Sequence, residues 1–122
     1  MADELQVGLG LDFKKGSKKL KISEGGVKVD VTGGDYYAGT QVIGTTAETV
    51  NTGNIAATGV GYALVKNLDT SINVSLRNGS GGTVTVLIPP GEIALFRMAE
   101  AGTLYAAAAS STVEIEYTLI EA

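Results

Sequence analysis

From Gly61 to Ala122 polar and apolar residues alternate in short runs, and nearly every run ends on Asn, Asp, Gly or Pro. Period-2 alternation is the mark of a strand with one buried face, and those four residues supply turn chemistry. The spacing predicts six strands, over 61–66, 71–77, 83–88, 92–98, 104–108 and 113–120. Between them lie Asn67-Leu68-Asp69-Thr70, Asn78-Gly79-Ser80-Gly81-Gly82 and Pro89-Pro90-Gly91-Glu92. In the last strand Val113, Ile115, Tyr117 and Leu119 alternate with Thr112, Glu114, Glu116 and Thr118. The strand over 92–98 puts Ile93, Leu95 and Arg97 on one side and Ala94, Phe96 and Met98 on the other. Strands every 8–12 residues with turns between them point to a sandwich or small barrel.

The first half is less regular. Leu5, Val7, Leu9, Leu11 and Phe13 alternate with Gln6, Gly8, Gly10 and Asp12, which reads as a half-buried strand interrupted by glycine. A turn is expected at Lys14-Lys15-Gly16-Ser17-Lys18-Lys19, then a short extended piece at Leu20 and Ile22. Ser23-Glu24-Gly25-Gly26 reads as another turn, followed by alternation at Val27, Val29 and Val31. Thr40 to Ile43 reads as extended. Thr45 and Glu48 have capping-box spacing, but Asn51-Thr52-Gly53-Asn54 follows too soon for more than one helical turn. A strand over 47–52 is preferred there. The expected fold is all-β, a β-sandwich or jelly-roll-like antiparallel barrel with an extended N-terminal arm. The arm is expected over 1–24 and a single β-sandwich domain over 25–122.

The residue inventory restricts chemistry. The chain has no His and no Cys. That removes the usual neutral-pH base, the commonest metal ligand, thiolate chemistry and any disulfide framework. Glu114 and Glu116 share a strand face and read as solvated carboxylates rather than a hydrolytic pair, which is opposed across a cleft. Asp30 and Asp35 bracket Val31-Thr32-Gly33-Gly34 without calcium-loop spacing. Gly8-Leu9-Gly10 lacks the third glycine and the helix of a dinucleotide fingerprint. No catalytic, cofactor-binding or metal-binding residue is therefore expected, and the chain is read as a non-enzyme that needs no cofactor.

Charge is unevenly distributed. The net charge is −4, yet Lys14, Lys15, Lys18, Lys19 and Lys21 make up five of the nine basic residues. From Val31 onward three basic residues face eight acidic ones, a balance of 3 − 8 = −5. The lysine cluster is either a solvated turn or a contact surface for an acidic partner. An acidic body, and no aromatic among the lysines, argue against nucleic acid. Tyr36 and Tyr37 are adjacent on an extended segment, so one is expected in the core and the other at an interface. No basic-then-apolar signal opens the sequence and no apolar run is long enough to span a bilayer, so neither secretion nor a membrane partner is expected.

The strings GYALVKNLDTSINVSLRNG, LIPPGEIALFRM and TLYAAAASSTVEIEYTLIEA resemble small all-β structural proteins of tailed-bacteriophage virions. The similarity covers about half of the chain and lies in its turns and alternation. It implies a virion location after synthesis in the host cytoplasm. The implied role is that of a capsid cement or decoration protein contacting the major capsid protein or other virion proteins. It also implies a homo-oligomer, a trimer most simply. Asn67, Asp69, Pro90, Gly91 and Glu92 match the family's turns and carry structural roles. A tail fibre or adaptor component, and a carbohydrate-binding β-sandwich module, are the alternatives.

Overall fold

The computed structural model describes residues 5–29, 31, 33–99 and 102–121, and it contains no helix among them. The chain divides into two compact units, 1–32 and 33–122, a boundary later than the residue-24 limit expected for the arm. Asp30 lies outside the described residues.

In the first unit β1 (Leu5–Lys15) and β2 (Lys18–Val29) pair antiparallel around a two-residue turn at Gly16-Ser17. The expected N-terminal extension is thus a hairpin. The Ser23–Gly26 stretch is no turn. It lies within β2 and holds a β-bulge, where Val7 opposite Val27 gives way to Leu9 opposite Glu24. The reason is parity. The apolar residues of β1 are all odd-numbered, whereas those of β2 change from even (Leu20, Ile22) to odd (Val27, Val29). One inserted residue returns both sets to one face, because a shift of one position turns every later side chain over. Gly26, at φ +75°, takes the left-handed conformation that the insertion needs.

The second unit holds eight strands. In chain order they are β3 (Tyr36–Ile43), β4 (Glu48–Thr49), β5 (Val60–Asn67), β6 (Val74–Asn78), β7 (Val84–Ile88), β8 (Ile93–Arg97), β9 (Leu104–Ala108) and β10 (Val113–Glu121). They form two antiparallel four-stranded sheets, ordered β3-β10-β5-β8 and β4-β9-β6-β7. The first strand of this unit pairs with the last, the second with the seventh, the third with the sixth and the fourth with the fifth. That nesting is a long hairpin rolled into two sheets, the topology of a jelly roll. The six strands expected beyond Gly61 are all present. The stretch 47–52 is shorter than expected: only Glu48 and Thr49 pair, with Ala106 and Tyr105. Glu48 caps no helix. Its carboxylate instead accepts a hydrogen bond from the Gly44 amide at 3.0 Å.

The core follows the alternation. Val113, Ile115, Tyr117 and Leu119 of β10 face inward with Ala63 and Val65 of β5 and Ile43 of β3, against Val74, Leu76, Ala106 and Ala108 of the other sheet. On β8 the inner set is Ala94 and Phe96, packed against this cluster, while Ile93 is 61% exposed.

Asn67 is the one buried polar side chain among the described residues, and all its groups are used. Its Nδ2 donates to the carbonyls of Ile72 (2.8 Å) and Ile88 (2.9 Å), and its Oδ1 accepts from the Asp69 amide (2.8 Å). Its own amide donates to Glu92 O, and its carbonyl accepts from the Gly91 amide, both at 3.0 Å. Asn67 ends β5 in one sheet and Ile88 ends β7 in the other, so this side chain ties the two sheets together. The turn it grips is closed by Glu92 N donating to Pro89 O at 3.1 Å. Pro90 and then Gly91 at φ +76° hold the two central positions, as a type II turn requires. Asp69 organises the other turn. Its Oδ2 accepts from the amides of Ser71 (2.8 Å) and Ile72 (2.7 Å), which delays β6 until Val74.

Asn67→Ala would strand the buried Ile88 carbonyl, the half-buried Ile72 carbonyl and the Asp69 amide. The expected loss is about 3–5 kcal/mol of unfolding free energy, at roughly 1–3 kcal/mol per unmet group; chemical denaturation of the purified chain measures it. The Ser71 and Ile72 amides hold the Asp69 carboxyl below its usual value of 3.8. Its contribution is present above that value and is lost as pH falls through the lowered folded pKa. Asp69→Asn should therefore lose less stability than the parent between neutral pH and pH below 3.8, as read by thermal melts across that range.

Candidate interaction surfaces

The hairpin segregates its residues by face. On one face the opposed pairs are Leu5–Val29, Val7–Val27, Leu9–Glu24, Leu11–Ile22, Phe13–Leu20 and Lys15–Lys18. On the other are Gln6–Lys28, Gly10–Ser23, Asp12–Lys21 and Lys14–Lys19. The five clustered lysines are all exposed at the hairpin tip, but not on a single side: Lys15 and Lys18 flank the apolar face, and Lys14, Lys19 and Lys21 lie on the polar one. Two of the pairs set lysine directly opposite lysine, an arrangement that disfavours the ribbon in isolation. Leu9, Leu11, Phe13, Leu20, Ile22 and Val27 are large apolar side chains left exposed. A two-stranded ribbon has no second layer to bury such a face and is at best marginally stable alone.

The two tyrosines separate as the strand geometry predicts. Tyr37 turns toward the core, its ring 6.0 Å from that of Tyr117 and packed over Gly53. Its hydroxyl accepts from Asn51 Nδ2 at 3.3 Å. Tyr36 is 73% exposed on the outer face of the β3-β10-β5-β8 sheet. Register places Tyr36 beside Ile120, Ile120 beside Tyr62, and Leu64 beside Leu95 on that face. The Arg97 guanidinium covers the Tyr62 ring at 5.1 Å from its centroid. This apolar stripe went unnoticed in the sequence, although Tyr62, Leu64, Ile93 and Leu95 all occupy strand positions opposite to the core set.

The remaining polar features are structural. Glu114 and Glu116 are exposed on the outer face of β10, next to Val42 and Thr40 of β3. Asp35 supports the approach to β3: its amide and that of Gly34 donate to Glu121 Oε1, at 3.2 and 2.9 Å. No group of three or more metal-ligating side chains occurs among the described residues. The Tyr117 hydroxyl is pushed up to about 12 by burial and by the neighbouring Tyr37 phenol, so it stays neutral and donates to Asn51 O at 2.8 Å. Gln41 completes that knot, accepting from the Asn51 amide at 2.9 Å and donating to Thr49 O at 3.1 Å. A cavity of about 260 Å³ opens where β6, β7 and β8 meet, with Leu76, Val86, Phe96 and Met98 in its walls.

Together these features define a class: a jelly-roll β-sandwich that carries an amphipathic hairpin with a basic tip. No protein-family model matches the chain, and no curated protein or solved structure matches it either.

The tyrosine pair yields a direct contrast. Tyr37→Ala should cost about 2–4 kcal/mol of stability through lost packing, whereas Tyr36→Ala should stay within about 0.5 kcal/mol of the parent. Parallel denaturation curves distinguish the two.

Proposed function

We propose that the protein is a structural component of a tailed-bacteriophage virion, a cement or decoration protein that binds the assembled shell as a homo-oligomer. The observation that carries this reading is the hairpin: formed strands, an uncovered apolar face and a lysine-rich tip on an otherwise acidic chain. Such a segment suits attachment, because it offers apolar area and charge without enlarging the body's core. The jelly-roll body suits the same role, since this fold is recurrent among capsid proteins. The likeness of the 61–122 strings to phage structural proteins points the same way.

The mechanism needs no chemistry. A protein that binds the assembled shell but not its dissociated subunits stabilises the shell by mass action, about 2.7 kcal/mol per site when free protein is at a hundred times Kd. The lysines would steer the hairpin toward acidic surface, an effect that weakens as salt rises.

The test is a density map of the phage particle that carries this chain. The expected result is the 33–122 body on the outside of the shell, in stoichiometric ratio to the shell protein. A particle with no such density on its head contradicts the reading, and density confined to the tail moves the protein there.

A further inference from the structure

The exposed part of the hairpin's apolar face has an ordered chemistry. From the tip inward its rows are Lys15–Lys18, Phe13–Leu20, Leu11–Ile22 and Leu9–Glu24, and every one of these side chains is exposed. Further in, Leu5, Val7 and Val29 are half-buried, while Val27, opposite Val7, is still exposed. The four rows from Lys15–Lys18 to Leu9–Glu24 therefore carry bases at the tip, an acid three rows in and only apolar side chains between, with the exposed Val27 beyond them. Rotated end for end, such a strip is its own complement.

We propose that this face pairs with the same face of a second copy of the chain, antiparallel, about a two-fold axis between the Phe13–Leu20 and Leu11–Ile22 rows. In that arrangement Phe13 and Leu20 of one copy lie over Leu11 and Ile22 of the other. Glu24 of each copy falls beside Lys15 and Lys18 of the other. A two-fold contact of this kind is isologous, so each complementary pair occurs twice. The strip is about 20 Å long at roughly 3.4 Å per residue, and two such ribbons stack about 10 Å apart like any pair of sheets.

The charges select this occupant over a generic apolar one. A wholly apolar partner would leave Glu24 at the contact edge without a counter-charge. A parallel pairing would set the lysines of one copy against those of the other. Lys14, Lys19 and Lys21 lie on the opposite face and remain free to meet an acidic surface, so pairing and attachment can coexist. The buried apolar area is on the order of 500 Å² per copy, below the roughly 800 Å² of a standard interface, so the contact falls in the class of small, reversible interfaces. This inference does not depend on the virion reading and can hold where the particle map fails.

Sedimentation velocity on the full chain across the micromolar range tests it. The expected result is a monomer–dimer equilibrium. Glu24→Lys alone should weaken the dimer about tenfold or more, as should Lys15→Glu with Lys18→Glu. The three changes together should restore it to within about threefold of the parent. Leu11→Asp should abolish it. Far-UV circular dichroism of each variant confirms that the 33–122 unit is intact. A monomer at every concentration overturns the proposal, and so does a trimer. Dimerisation insensitive to the single charge reversals, or failure of the triple variant to recover, overturns the antiparallel register.

Discussion

The jelly roll depends on one saturated amide. Asn67 sits in the dry interior at the end of β5, yet its side chain and backbone together satisfy groups from both sheets and from two turns. A buried polar group left unpaired is costly, while a fully paired one fixes a single arrangement. Leu or Val could fill the same volume, but neither could hold the Ile88 carbonyl of one sheet against the strand end of the other. The Asp69 and Pro89–Glu92 turns are shaped around that amide, and the strands they join take their registers from it.

The hairpin is the opposite case. The body buries its main apolar cluster between two sheets, and Asn67 within it is fully paired. The hairpin has two strands and two faces, and only one of the faces is polar. Its bulge at Gly25-Gly26 makes this sharper. Without the inserted residue, Val27 and Val29 would fall on the lysine side and neither face would be apolar throughout. A bulge that gathers apolar residues onto one exposed face is a device for contact rather than for self-burial. The lysine pairs at the tip have the same implication, since direct opposition of like charge lowers the ribbon's own stability.

How much of this was legible in the sequence follows from how much each residue constrains. Where a polar set alternates with an apolar one, as in Val113–Glu121, side and strand could both be read. Where both sets are apolar, as in Ile93–Arg97, the strand was legible and its inner face was not. That ambiguity hid the outer stripe of Tyr62, Leu64, Ile93 and Leu95. Asn67 was readable as a turn residue, because Asn and Asp are common there. Its reach to Ile88, 21 positions away, is a tertiary fact that local spacing does not carry. The hairpin's lysines were plain, but its apolar face was not. Ser23-Glu24-Gly25-Gly26 has the composition of a turn, and only the change from even to odd apolar positions signals a bulge instead.

The account rests on the claim that the hairpin is completed by a second copy. Amide hydrogen exchange measures this most directly, because an isolated ribbon opens readily and a paired one does not. Exchange should be followed over residues 5–29 and 33–121 in parallel as protein concentration is raised. The account predicts that protection of 5–29 rises with concentration while that of 33–121 stays constant. Protection of 5–29 that does not change with concentration would contradict it.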